Sequence, residues 1–146
     1  MVSKIVSLAF VSALLSLAAI MSFVGPVAAQ PAEIIVPDDY DRIQWAIGNA
    51  TEGATVFVRT GTYQENLIVS KPLKLIGENK NTTIIDADGR SHGIHVRANN
   101  VYISGFTVQY AQFNYGIYLD TKNDIVIKGN IVKESQLGVY VHYSTC

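Results

Sequence analysis

A four-residue unit that begins with glycine recurs three times in the second half of the chain. It reads Gly-Ile-His-Val at 93–96, Gly-Ile-Tyr-Leu at 116–119 and Gly-Val-Tyr-Val at 138–141, so the glycines lie 23 and then 22 residues apart. Inside each unit, aliphatic residues alternate with polar or aromatic ones, which is the period of a β-strand. A repeat of this length is too short for a propeller blade or a helical repeat. The pattern therefore predicts an all-β parallel solenoid.

Other strand-like segments keep step with these units and predict three strands in each coil. Residues whose side chains would stack inside form four ladders, which are Leu67, Ile94, Ile117 and Val139; Val69, Val96, Leu119 and Val141; Leu73, Val101 and Ile125; and Leu75, Ile103 and Ile127. A fifth and poorer ladder would contain Val56, Thr83, Phe106 and Asn130. Strands in a sheet are about 4.8 Å apart, so stacking buries one continuous core. We expect a right-handed parallel β-helix of about three to four coils over residues 54–146.

The first 29 residues have the features of a secretory signal peptide. A basic start that includes Lys4 precedes an apolar run at 5–24, and Val27-Ala28-Ala29 supplies small residues for cleavage before Gln30. An uncleaved anchor is the alternative, since about 20 apolar residues can span a bilayer. In either case the folded part is expected outside the cytoplasm, and after cleavage it would not be held by a membrane.

Residues 30–53 are predicted to form a short strand followed by one amphipathic helix. Apolar residues at helical spacing are Ile43, Ala46, Ile47 and Ala50, and Asp38 or Asp39 is placed to cap the start of the helix. The first coil of a solenoid exposes an apolar end that a capping element must cover. We therefore expect this helix to cap the solenoid.

Composition limits the possible partners and stabilising bonds. The chain has 11 basic and 12 acidic residues and a formal net charge of −1, which does not favour binding to nucleic acid. Its one cysteine, Cys146, has no partner for an internal disulfide. Two sequons, at Asn49 and Asn81, could accept a glycan outside the cell.

Several motifs resemble those of known families. The segment from Ile35 to Asp88, with Gly61-Thr62-Tyr63-Gln64-Glu65-Asn66 and Lys71-Pro72-Leu73-Lys74-Leu75-Ile76-Gly77, resembles the start of right-handed β-helix proteins of the pectin-lyase-like superfamily. From Gly93 onward the repeats are similar to the NosD type, which is associated with copper-site maturation, and to the carbohydrate-binding and sugar-hydrolysis repeat class. The resemblance implies the fold and an extracytoplasmic location. It leaves function open, because this superfamily hosts many activities.

Outward-facing positions carry the candidate binding residues. The layout places Ile68, His95, Tyr118 and Tyr140 in one row and Ser70, Arg97, Asp120 and His142 in the next. Aromatic rings and charged groups on one wall suit a polysaccharide or surface glycan, and we expect the contacts at His95, Tyr118, Tyr140, Arg97 and Asp120. The alternative is a plain surface, because aromatic residues are good strand formers and Arg97 beside Asp120 is a common cross-strand pair.

Catalysis and metal binding are weaker alternatives. A polysaccharide lyase needs a base near a cation, for which Asp120 with Arg97 is available. A hydrolase needs two carboxylates, for which Glu65 with Asp86 is available, but the layout puts these two at different corners. We therefore expect a catalytically incomplete module with no cofactor. A copper site would use His92, His95 and His142, but His92 and His95 are expected to diverge along their strand. A purely structural envelope repeat is the third alternative.

The last predicted strand leaves an edge without a polar cap. Such an edge invites further coils or pairing with another chain.

Overall fold

The computed structural model describes residues 32–111, 114–120 and 123–142, which fall within one unit, Pro31–Cys146. The signal peptide prediction for residues 1–29, and Cys146, lie outside the described residues. The strands are β1 (Glu33–Val36), β2 (Thr55–Val58), β3 (Gly61–Gln64), β4 (Leu67–Val69), β5 (Leu73–Gly77), β6 (Thr83–Asp86), β7 (Ile94–Val96), β8 (Val101–Ser104), β9 (Thr107–Gln109), β10 (Tyr115–Leu119), β11 (Ile125–Lys128), β12 (Ile131–Val132) and β13 (Leu137–Val141). One helix, α1 (Ile43–Asn49), lies between β1 and β2.

These strands form three parallel sheets that run along the solenoid. Sheet A has the order β1-β2-β5-β8-β11, sheet B has the order β3-β6-β9-β12, and sheet C has the order β4-β7-β10-β13. Neighbours in a sheet come from successive coils, and the chain visits the sheets in turn. The fold is the predicted all-β parallel solenoid with one short helix.

The strand register confirms the four inward ladders. Leu67 pairs with Ile94, Ile94 with Ile117 and Ile117 with Val139, and the three other ladders are in register in the same way. Most of these side chains are buried in one continuous hydrophobic core. Stacking identical positions thus removes apolar surface from water in every coil.

The prediction of the fifth ladder was wrong, and correcting it raises the number of coils. Val56 lies in β2 of sheet A and pairs with Ile34 on one side and Leu75 on the other, whereas Thr83 begins β6 of sheet B. The segment Gly61–Gln64, which the sequence layout left between strands, is the strand that pairs with β6. Counting β1 and β2 as rungs of sheet A gives a solenoid of about five turns, more than the three to four predicted.

Two of the three repeated glycines, Gly93 and Gly116, are required by close approach of neighbouring coils. A Cβ atom added at Gly93 would meet the side chain of Val108 and would lie 2.7 Å from the carbonyl oxygen of Gly116. At Gly116 it would meet Val132 and lie 2.9 Å from the carbonyl oxygen of Gly138. A side chain at either position would therefore displace the core or the adjacent backbone.

Helix α1 caps the first coil, as predicted from its spacing of apolar residues. Ile43, Ala46 and Ile47 are buried, and the helix packs against β1, β2 and β4. The side-chain amide of Gln44 hydrogen-bonds to both backbone groups of Ile68 in β4, accepting from N–H at 2.7 Å and donating to the carbonyl at 3.2 Å. Gln44 thus provides the hydrogen bonds that a preceding strand would provide. Among the described residues, no helix is long and apolar enough to cross a membrane.

The start of the helix is held by Glu65, and the predicted cap at Asp38 or Asp39 was wrong. Arg42 is the N-cap residue and makes no side-chain capping bond. Instead, the carboxylate of Glu65 accepts hydrogen bonds from the N–H groups of Ile43 at 2.9 Å and Gln44 at 3.0 Å. Glu65 is far off in sequence, so local capping rules could not identify it. Asp39 accepts from the N–H of Ile35.

Candidate functional site

Sheet C presents a cluster of aromatic rings on its outer face, which we name the aromatic wall. It consists of His92, His95, Tyr115, Tyr118 and Tyr140. The register places His95 opposite Tyr118 and Tyr118 opposite Tyr140, on β7, β10 and β13. The sequence prediction that these three residues share one row is therefore correct, and Ile68 extends the row on β4.

Four rings of the wall form one stacked array. The planes of His92, Tyr115, Tyr118 and Tyr140 are within 9–13° of parallel, and their neighbouring centroids are 4.5–5.7 Å apart. His95 meets the array edge-on, with its centroid 4.8 Å from that of Tyr118. Stacking of this kind contributes about 0.5–1.5 kcal/mol for each pair. The array thus connects side chains from three successive coils.

A break in strand alternation brings His92 and Tyr115 onto the wall. Gly116 and Ile117 are both buried, so Tyr115 before them and Tyr118 after them lie on the same outer face of β10. His92 has the same relation to Gly93 and His95, and its ring centroid lies 5.6 Å from that of His95. The expectation that the two histidines diverge was therefore wrong, because strict alternation ignores the effect of an inward glycine.

Tyr115 is not among the contact residues predicted from the sequence. Its stacking on Tyr140, at a centroid distance of 4.5 Å, makes it part of the wall. The available signal was an aromatic residue immediately before the glycine of a repeat, at His92 and Tyr115.

A second row, which we name the polar row, flanks the wall and consists of Arg97, Asp120 and His142. Backbone bonds from Asp120 to β7 and from His142 to β10 keep these residues in step along the axis. The Nε of Arg97 donates to Nε2 of His95 at 3.4 Å, and the carboxylate of Asp120 lies 3.4 Å from Nδ1 of His142. The polar row therefore offers both signs of charge next to the rings.

The surroundings of the two histidines of the wall favour their neutral forms. Partial burial lowers the pKa of His92 below its usual range. Partial burial lowers the pKa of His95 as well, and the positive charge of Arg97 lowers it further. Burial and the nearby negative charge of Asp120 raise the pKa of Tyr118. These shifts favour the neutral forms of His92, His95 and Tyr118.

The three histidines of the copper alternative are not brought together as a ligand set. Nδ1 of His92 accepts from the N–H of Tyr115 at 3.2 Å, and His142 faces Asp120. The part of the chain that the structure describes contains no group of three or more His, Cys, Asp or Glu side chains placed to hold a metal ion. The described residues therefore do not form a copper centre that uses all three histidines, because such a centre needs several converging donors.

Glu65 and Asp86 line the same cavity, which corrects their assignment to different corners. The cavity has a volume of about 300 Å³ and is also lined by Arg42, Asp88 and Arg90. Both carboxylate oxygens of Glu65 accept bonds from the start of α1, and Asp86 accepts from the backbone N–H of Asp88 and from Gln109. Arg90 is paired with Asp88 at 2.8 Å. These groups serve the fold, and the pair does not form a free acid and base.

Comparison with known proteins relates this geometry to other chains. The family model described as "Periplasmic copper-binding protein (NosD)" matches residues 47–146. A protein named "Cell surface glycoprotein" from Methanothermus fervidus is 29% identical over 119 residues, which are 80% of this chain and 19% of that protein. The chain thus corresponds to less than a quarter of that relative's length. No solved structure matches the chain.

Both relationships concern proteins outside the cytoplasm, and the family match includes nearly every coil of the solenoid. The chain therefore belongs to the NosD family and is an extracytoplasmic parallel β-helix protein.

Proposed function

We propose that this chain is a non-catalytic module that binds a polysaccharide or a cell-surface glycan along the aromatic wall and the polar row. One observation carries the proposal, namely the stacked array of His92, Tyr115, Tyr118 and Tyr140 across three coils on a solvent-facing sheet. Strand formers placed on a surface for their propensity alone would not need a common ring orientation. An ordered row of rings beside charged groups is suited to a ligand that is itself extended and polar.

The stacking defines which part of each ring a sugar would contact. Rings that cover one another along the axis share their faces, so the inner members offer a ligand their edges and hydroxyl groups. Binding would then depend on hydrogen bonds from Tyr115, Tyr118 and Tyr140, supplemented by Arg97 and Asp120. The contacts would repeat about every 4.8 Å along the axis, which suits a linear polymer.

The test is a glycan array followed by calorimetric titration of each glycan that binds. We expect Tyr118→Ala and Tyr140→Ala to weaken binding at least about tenfold, because each removes ring and hydroxyl from the array. Tyr118→Phe should keep the stack and still weaken binding about fivefold, since it removes only the hydroxyl. Tyr102→Ala on sheet A is the matched control, and it should bind like wild type. A chain that binds no glycan, or variants that bind equally well, would refute the proposal.

Copper binding is the second candidate. Support comes from the matching family, which is described as copper-binding, and from the 5.6 Å separation of the His92 and His95 ring centroids. Two imidazoles could share one ion only if Nδ1 of His92 gave up its bond from Tyr115. Titration with Cu²⁺ should then show an affinity that His92→Ala and His95→Ala each abolish and that His142→Ala leaves unchanged. Equal binding by all of these variants would contradict a site at this pair.

A further inference from the structure

The chain carries two sequons whose settings in the fold differ. One is Asn49-Ala50-Thr51 at the end of α1, and the other is Asn81-Thr82-Thr83 between β5 and β6. We propose that Asn49 is an N-glycosylation site of the folded protein and that Asn81 is closed to modification once the chain has folded. The inference does not depend on the proposed glycan-binding function.

The first sequon presents both of its required side chains to solvent. Asn49 and Thr51 are exposed, whereas Ala50 between them is 3% exposed and has an extended backbone with φ −63° and ψ 142°. A transferase that requires both the asparagine and the hydroxyl can therefore reach Asn49 and Thr51 in the folded chain.

The amide of Asn49 is held by one bond that can be broken locally. Its Nδ2 donates to the carbonyl of Trp45 at 2.9 Å, on an exposed surface of the helix. Replacing an exposed hydrogen bond of this kind with water costs about 1 kcal/mol or less. This end of the helix is also held by Lys71, whose Nζ donates to the carbonyls of Gly48 and Ala50, and by the N–H of Ala50, which donates to the carbonyl of Ala46. None of these bonds involves the Asn49 side chain.

The second sequon has its asparagine outside and its threonine inside. Asn81 is exposed, but Thr83 is the first residue of β6 and is 0% exposed. Its hydroxyl oxygen accepts from the N–H of Asn79 at 3.2 Å, and its own N–H donates to the carbonyl of Asn79 at 2.7 Å. In sheet B, β6 lies between β3 and β9, so a transferase could reach this hydroxyl only after β6 had left the sheet.

The modification would use an oligosaccharyltransferase and a lipid-linked oligosaccharide donor. The amide nitrogen of Asn49 attacks the anomeric carbon of the first sugar, so a C–N bond forms and the C–O bond to the lipid phosphate breaks. The lipid phosphate leaves with the bonding electron pair, and the nitrogen loses one proton. No redox change occurs. The extracytoplasmic location places the chain in the compartment where such enzymes present their active sites.

A glycan at Asn49 would extend from the helix that covers the first coil. Tyr118 and Tyr140 lie on β10 and β13, two and three strands beyond the β4 strand that α1 contacts. The modification should therefore leave the aromatic wall accessible.

The test uses the folded chain with a purified single-subunit oligosaccharyltransferase and its lipid-linked oligosaccharide. Peptide mass spectrometry should find one glycan, at Asn49, on the folded wild type and on Asn81→Gln, and none on Asn49→Gln. Thr51→Val is the matched control, because it keeps the asparagine and the side-chain shape while removing the hydroxyl, and it should abolish modification. The urea-unfolded chain, diluted into the same reaction, should be modified at both asparagines.

Two results would overturn the proposal. One is a folded wild type that remains unmodified at Asn49 while the unfolded chain is modified there. The other is a folded chain modified at Asn81, with circular dichroism confirming that the sample is native.

Discussion

The two ends of this solenoid are built from the same ladders but differ in how far their inward-facing residues are buried. At the capped end, formed by α1 and β4, Val69 is 0% exposed because the helix and the next coil enclose it. At the open end, formed by β11, β12 and β13, Val141 occupies the same ladder and is 38% exposed. Leu137 and Val139 are also exposed there. The comparison shows that inward orientation does not bury a residue unless a further layer covers it.

The helix provides two kinds of cover. Its apolar residues shield the first rung from water, and Gln44 pairs with the backbone of Ile68 at the edge of sheet C. At the other end, β13 is the last strand of sheet C within the described residues. An edge of this kind can pair with another strand, whether from a further coil or from another chain.

The largest effect should come from removing the carboxylate that holds the cap. Glu65→Ala leaves two N–H groups at the start of α1 without an acceptor, one of them buried, and should lower the free energy of unfolding by about 3 kcal/mol. Glu65→Gln retains one acceptor and should have a smaller effect. Urea denaturation monitored by circular dichroism measures both. If Glu65→Ala is as stable as wild type, the cap is not held in this way.

A matched pair of valines tests the ends directly. Val69→Ala removes two methyl groups from a closed site and should cost about 2 kcal/mol of unfolding free energy. Val141→Ala makes the same change in the same ladder at the open end and should cost less than about 1 kcal/mol. Equal costs in chemical denaturation would mean that something covers the open end in solution.

A smaller effect is expected at the edge of sheet C. Gln44→Ala removes the two bonds to Ile68 and should cost about 1 kcal/mol, since both are exposed. It also frees the backbone of β4, so light scattering should detect more self-association than in wild type. Gln64→Ala, an exposed glutamine on β3, is the control. No difference between the two variants in either measurement would argue against the edge-covering role of Gln44.

The smallest expected effect is a loss of unfolding free energy when the pH is lowered, caused by His92 and His95 in the middle coils. The pKa values of His92 and His95 are lowered in the folded chain, so the unfolded chain binds protons more readily. Stability contributed by the neutral histidines is present above about pH 6.5 and is lost as the pH falls below that value. Urea denaturation at pH 7.5 and pH 5.0, both about one unit or more from this value, measures the unfolding free energy lost between the two conditions. This loss should be smaller for the double variant His92→Gln, His95→Gln than for wild type. Parallel losses in both proteins would contradict this assignment.

Much of the fold could be predicted because every coil of a solenoid stacks on the next one in the same way. Each aliphatic residue in a ladder needs only its counterpart one coil away, so the spacing of Ile94 and Ile117 in the sequence determines their contact in space. Helix α1 was predictable for the same reason, from the spacing of Ile43, Ala46 and Ile47. The row of His95, Tyr118 and Tyr140 followed from the register of the ladders.

Errors occurred where a contact depends on the exact path of a corner. The sequence layout omitted β3, which shifted Val56 into the wrong sheet and separated Glu65 from the cavity that it shares with Asp86. It also treated His92 and His95 as diverging, because an inward glycine breaks alternation without leaving any mark in the hydrophobic pattern.

The sequence alone determined the solenoid, four of its inward ladders and the row of His95, Tyr118 and Tyr140, since these depend on a fixed periodicity along the chain. Only the tertiary structure decided that Glu65 accepts hydrogen bonds from the start of the helix, that four rings stack in one array, and that Thr83 is buried while Thr51 is exposed. Those arrangements depend on which coil lies against which and on how each corner turns, and residues distant in the sequence carry no local signal of that proximity.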